Sequence, residues 1–177
     1  MATAKNTKST QSTTTDVLAL LTAQHADVDA LFAKLEKMTG DKKGTIVLLA
    51  DTLGAHATVE EKIFYPGVMS KQTNEMLQES VEEHLEVKRI LADLLSDRLS
   101  PDQIDAKLSV LKENVTHHAH EEEEEKLFPI VRKAMSAEEL GALGSECLAM
   151  FEALMPQHPS RNIPNETAKA APLPPVA

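Results

Sequence analysis

The chain has no tryptophan, one tyrosine and four phenylalanines, so aromatics make up 3% of its 177 residues. Sheets draw heavily on aromatic side chains; their scarcity, beside abundant Ala, Leu, Glu and Lys, favours packed amphipathic helices. Cysteine is nearly absent too. Cys147 alone cannot form an internal disulfide. Without a Cys-x-x-Cys or Cys-x-x-Cys-His pattern, zinc-ribbon, iron-sulfur and c-type haem sites have nothing to attach to. Basic charge is in deficit: Lys and Arg number 18 against 28 Asp and Glu, a formal net charge of −10. That balance argues against nucleic acid and anionic membrane surfaces as partners, since both need clustered Lys and Arg, and it favours cation capture. No apolar run approaches the roughly 20 residues of a membrane span. Residues 1–15 lack the apolar segment of a secretion signal, so a cytoplasmic location is the default expectation.

What is present suits one domain, since 42% hydrophobic content over 177 residues can fill a sizeable core. Residues 1–15 read as a disordered polar tail, 16–155 as the domain, and 156–177 as a flexible Pro- and Ala-rich tail with no apolar period. Within the domain, apolar residues recur at steps of three and four. A first helix runs from a cap at Asp16 toward Gly40, and a second carries Ile46, Leu49, Leu53 and Ile63 as far as Pro66-Gly67. A third carries Leu77, Val81, Val87, Leu91 and Leu94. A fourth starts at Ser100-Pro101, and Ser136 with Glu139 opens a shorter fifth as a capping box. The fold class is all-α.

One short pattern occurs twice: HATVEEKIFYP from His56 and HHAHEEEEEKLFP from His117. Each places an imidazole four residues ahead of a carboxylate, where the two stack on one helix face about 6 Å apart at Cβ. The inward rows extend the pattern. On the first helix the row 18, 21, 25, 28, 32, 35 includes His25, and on the second the row 46, 49, 53, 56, 60, 63 includes His56 and Glu60. On the third, 77, 81, 84, 87, 91, 94 includes His84; on the fourth, 104, 108, 111, 115, 118, 122 includes His118 and Glu122. A lone inward histidine is ordinarily a hydrogen-bonded core residue. One on each of four helices, with two carboxylates whose burial costs several kcal/mol unless partnered, points to a metal site of mixed nitrogen and oxygen donors.

The order His25, His56-x-x-x-Glu60, His84, His118-x-x-x-Glu122, with aromatic-Pro closing the second and fourth helices, resembles the hemerythrin-like HHE cation-binding family over roughly residues 16–154. The resemblance implies an antiparallel up-down four-helix bundle around a non-haem di-iron centre, two iron ions joined by an oxo or hydroxo bridge. It assigns His25 and His56 to one iron, His84 and His118 to the other, and Glu60 and Glu122 to both. Iron stands ahead of manganese or zinc, although donor type alone does not select among them.

Two departures stand out. Oxygen-carrying hemerythrins have two histidines four apart on the third helix, whereas the positions around His84 are Ser80 and Lys88; a water or a carboxylate such as Glu61 or Glu83 is then expected there. Register differs as well. His56 precedes Pro66 by ten residues and His118 precedes Pro129 by eleven, so the first copy reads as regular and the second as holding one extra residue, which a π-bulge would absorb. That slip leaves Glu123, six residues before its Pro as Glu60 is before Pro66, as the alternative to Glu122. His117 and His120 are expected behind the ligands or exposed, and His158 in solvent. Three functions fit: binding of dioxygen, nitric oxide or peroxide for sensing or buffering; a di-iron enzyme acting on peroxide or ferrous iron; or an iron reservoir. In the last case the tails would engage a partner, whose identity the sequence does not give.

Overall fold

The computed structural model describes residues 16–96 and 98–176 and, among them, contains helices and turns but no strand. The expected disorder of residues 1–15 lies outside the described residues. Helix α1 spans Val17–Lys37; Asp16 caps it, its Oδ1 accepting the Ala19 N–H at 2.9 Å. Helix α2, Lys43–Val59, passes without a break through a π-helical turn at Glu60–Phe64 into α3, Tyr65–Val68. Helix α4 covers Asn74–Leu94. Helix α5, Pro101–Thr116, starts in a capping box between Ser100 and Gln103 and runs through a π-helical stretch, His117–Leu127, into α6, Phe128–Ala134. Helix α7, Ala137–Leu154, has the capping box foreseen from Ser136 and Glu139.

The bundle is built from two antiparallel pairs, each pinned at two levels. Thr45 Oγ1 donates to Met38 Sδ at 3.4 Å where α1 turns into α2, and the His25 and His56 rings lie 5.0 Å apart further along. In the second pair Lys107 meets Asp93 at 2.6 Å beside the α4–α5 connection, and the His84 and His118 rings are 4.7 Å apart. Stepping forward along one helix while stepping back along its neighbour keeps apolar residues facing apolar residues. Two apolar clusters result. Phe32, Leu35, Leu49, Leu91 and Leu111 fill the end nearer the two connections, and Leu18, Leu21, Phe64, Tyr65, Leu77 and Leu127 fill the other, with α7 packed against it. Cys147 belongs to this second cluster, where burial pushes its thiol up to about 12. Between the clusters lies a belt of buried histidines and glutamates.

The C-terminal segment departs from expectation. Residues 156–176 do not form a free tail: three 3₁₀ turns, Met155–Gln157, Pro159–Arg161 and Ile163–Asn165, lead the chain back over α2 and α4. Asp51, buried on α2, accepts the Ser160 N–H and lies 3.0 Å from His158 Nδ1, so His158, expected in solvent, is anchored while its ring stays half-exposed. Gly54 allows the close approach, since a Cβ there would meet Pro159 Cβ at 3.2 Å and Ile163 Cδ1 at 3.3 Å. Ile163 inserts into the core at 2% exposure. A single anchor between proline-bounded turns has no period to read, which is why the sequence pattern misses it. Ile163→Ala is expected to cost about 2–5 kcal/mol in urea unfolding, the usual range for truncating a buried Ile. A loss below about 0.5 kcal/mol would mean the segment does not dock. No described helix is long and apolar enough to cross a membrane.

Candidate metal centre

The belt brings together His25 from α1, His56 from α2, Glu60 from the first π turn, His84 from α4, and His118 and Glu123 from the second π stretch. All six are buried, with Glu60 and Glu123 at 0% exposure. Their donor atoms form two sets, each within 4.8 Å: His25, His56, Glu60 and Glu123 in one, and Glu60, His84 and His118 in the other. Glu60 belongs to both. Its Oε2 lies 3.2 Å from His56 Nε2 and 3.3 Å from His84 Nε2. Glu123 spans the sets from the opposite side, with Oε2 3.2 Å from His25 Nε2 and Oε1 4.0 Å from His118 Nε2.

Glu122, expected in this position, is not in it. Its Oε1 faces Lys126 Nζ at 2.5 Å and His117 Nε2 at 3.5 Å on the outside of the bundle. The cause is the helix geometry. The His117–Leu127 stretch is π-helical, so the inward face returns after five residues and His118 pairs with Glu123 rather than with the residue four ahead. The anticipated extra residue is therefore present, spread over a long stretch and not confined to one bulge. The first copy, expected to be regular, has a π turn as well. Tyr65 N–H donates to the Glu60 carbonyl, and Phe128 N–H donates to the Glu123 carbonyl, each across five residues. A proline follows immediately in both copies. Its ring crowds the carbonyl four residues back and supplies no N–H, and widening the preceding turn relieves that conflict. His56 lies ahead of its π turn and keeps the ordinary spacing of four to Glu60.

Each histidine turns Nε2 into the belt and has its Nδ1 held from behind. His25 Nδ1 is 2.7 Å from Glu124 and His118 Nδ1 is 2.7 Å from Glu83. His84 Nδ1 is 3.1 Å from Glu61, and His56 Nδ1 is 2.8 Å from the amide oxygen of Gln24. Such contacts fix ring orientation and leave Nε2 free to coordinate, as is usual for metal-bound histidines. Glu61 and Glu83, foreseen as substitute ligands beside His84, thus hold rings instead. Basic side chains back two of the carboxylates. Lys88 Nζ donates to both Glu61 oxygens at 2.9 Å, and His120 lies 3.2 Å from Glu124 and 3.0 Å from Asp29. His117 is half-exposed and faces Glu121 and Glu83.

Tyr65 is the residue that periodicity did not single out. Fully buried, it donates its hydroxyl to Glu123 Oε1 at 3.0 Å and lies 3.4 and 3.5 Å from Nε2 of His84 and His118. The available signal was its position five residues after Glu60, on the same face of a π turn.

The donor set tests directly whether a cation fits. Both oxygens of Glu60, Oε2 of Glu123 and Nε2 of His25 are buried without a hydrogen bond. Leaving such groups unpaired costs about 1–3 kcal/mol each, and more for charged ones. Burial and the neighbouring Glu123 push Glu60 well above the ordinary carboxylate range. Burial pushes Glu123 up as well, but His118 and His25 outweigh it and hold this carboxyl below the ordinary range. Burial, reinforced by His25, holds His56 well below the usual imidazole value, and burial also lowers His84. His25 is lowered by burial but raised more by Glu123 and Glu124. Four inward imidazole nitrogens and two opposed carboxyl groups thus form a cage of buried donor atoms. The donors fit one or two divalent or trivalent cations with borderline nitrogen and oxygen preference.

Comparison with known proteins agrees with this geometry. The sequence profile described as Hemerythrin HHE cation binding domain matches residues 16–131, which include every residue of the belt. Searches of curated proteins and of solved structures returned no match. With the match covering well over half of its length and a His/Glu cage at its centre, the chain belongs to the hemerythrin HHE cation-binding domain family.

Proposed function

We propose that the protein holds two iron ions and binds dioxygen or a related small oxidant, nitric oxide or peroxide, for sensing or buffering. The observation that carries this reading is the sharing of two buried glutamates between two histidine pairs, Glu60 through Oε2 and Glu123 through its two oxygens, because inward Glu and His side chains from facing helices are what helical bundles use to hold di-metal centres. His25 and His56 serve one ion, His84 and His118 the other. When bound, the pair supplies one-electron changes at each ion and open positions for a small ligand.

The remaining chemistry belongs to the chain. The apolar clusters on both sides keep bulk water from the belt, which strengthens every electrostatic contact inside it. Tyr65 brings an oxygen donor to the set that has fewer protein ligands, and its hydroxyl proton is held at Glu123 Oε1. This proton, in an otherwise dry belt, favours a second reading, in which peroxide or ferrous iron is turned over rather than bound.

Anaerobically reduced, iron-loaded protein exposed in turn to air, nitric oxide and peroxide should give a visible spectrum specific to each ligand and reversible on ligand removal. Catalytic loss of peroxide without a lasting spectrum supports the second reading, and no spectral response to any of the three contradicts both. Tyr65→Phe should alter the spectrum of the oxidised protein while both irons remain. An unchanged spectrum would remove Tyr65 from the site.

A further inference from the structure

The belt is built twice, and the two halves match in where each supporting side chain stands. The residue before His25 holds the histidine of α2, and the residue before His84 holds the histidine that follows α5. The residue after each central carboxylate, Glu61 or Glu124, holds the histidine of the other antiparallel pair. These last two carboxylates are balanced alike, Glu61 by Lys88 and Glu124 by His120. Among the side chains behind the rings, one position breaks the pattern: Glu83 in one half is Gln24 in the other. The two differ by a full charge at the same place, 2.7 Å from His118 Nδ1 and 2.8 Å from His56 Nδ1. Glu83 also faces His117, half-exposed at 3.7 Å. Gln24 is buried at 5% exposure beside its ring. Tyr65 adds to the imbalance, since its counterpart ahead of the second proline is Phe128, which carries no donor.

A carboxylate behind a ligating imidazole raises its basicity, and exchanging such a partner changes metal affinity by about 10–100-fold. We infer that Gln24 and Glu83 make the two metal positions unequal, so that the position of His84 and His118 fills first and holds its ion, while the position of His25 and His56 fills second and exchanges it. Gln24 and Glu83 are positioning residues: neither faces the centre of the belt. The amide at Gln24 leaves His56 the weakest donor of the four, because it is the only one without an anion behind it. Ordered filling rests on the di-metal reading above and sharpens it. A chain short of metal would carry a single ion beside Tyr65, and the second position would report metal supply.

The test is calorimetric titration of metal-free full-length protein with zinc, which removes redox chemistry from the readout. Wild-type protein should show two resolved binding steps of unequal affinity. Gln24→Glu should strengthen the weaker step by about 10–100-fold and leave the stronger one in place, making the halves alike. Glu83→Gln should weaken the stronger step by a similar factor, and it keeps the test decisive if the first variant does not fold. Two equal steps in the wild type, or affinities within twofold of wild type in the folded variants, would overturn ordered filling while leaving the di-metal reading intact. Uptake of no metal at all would overturn both.

Discussion

Removing the metal from loaded protein is expected to lower its stability by about 4 kcal/mol, the contribution of a ligand present at a thousand times its Kd. For a chain of this size each kcal/mol moves the melting temperature by about 2–4 °C, so a chelator should lower it by about 10 °C. The reason is local. Without a cation the belt keeps three carboxylate oxygens, both of Glu60 and Oε2 of Glu123, and the His25 Nε2 buried without hydrogen bonds. The loss should also depend on pH, and its sign follows from Glu60 and His25. Burial and Glu123 raise Glu60, and Glu123 with Glu124 raises His25 against the effect of burial. In the metal-free fold both groups therefore bind protons more tightly than in the unfolded chain. Their stabilising contribution is complete below the ordinary values, about 4.3 and 6.5, and is lost as pH rises through the raised folded values. Over that window a cation takes over from the protons. His56 and His84, which burial lowers, bind protons less tightly in the fold and compete less with a cation. The difference in melting temperature between loaded and chelated protein should therefore be wider at pH 8 than at pH 6. Thermal unfolding at the two pH values checks it; equal differences would separate the belt's protons from metal binding.

Glu123→Ala should reduce metal uptake from two ions per chain to one or none, whereas Glu122→Ala should leave uptake unchanged. Adjacent members of a glutamate run have opposite expected effects because the π-helical stretch turns one inward and its neighbour outward. Glu123 is fully buried, faces His25 and His118, and accepts the Tyr65 hydroxyl. Truncating it deprives both positions of a shared donor. Glu122 pairs with the exposed Lys126 at i+4, a solvent-screened contact unrelated to the belt. Metal content after desalting decides between them. Loss of uptake in the Glu122 variant together with full uptake in the Glu123 variant would mean that the helix follows ordinary α geometry through this stretch.

These adjacent glutamates also mark where the sequence stops being readable. The rows that place His25, His56, Glu60, His84 and His118 inward depend on a period of 3.6, which holds along α1, α2, α4 and α5, and all five reach the belt. The caps at Asp16, Ser100 and Ser136 are local patterns and appear where expected. Past His117 the period changes, and a row extrapolated at 3.6 falls on Glu122. Counting backward from proline is the better rule, because the proline forces the widened turn and so fixes the carboxylate six residues ahead of it in both copies. The same conflict explains the π turn at Glu60–Phe64, which a regular His56-to-Glu60 spacing conceals. Gln24, Glu61, Glu83 and Glu124 leave no periodic signal, since they act across helices and depend on register between the two pairs. The docked C-terminal segment depends on Asp51 and Gly54 of α2 meeting Ile163, more than a hundred residues later, with no common pattern.

The most direct measurement is the iron content of full-length protein loaded anaerobically with ferrous iron and freed of excess. A centre formed by four histidines and two shared carboxylates predicts two iron ions per chain, while less than one iron per chain would contradict it.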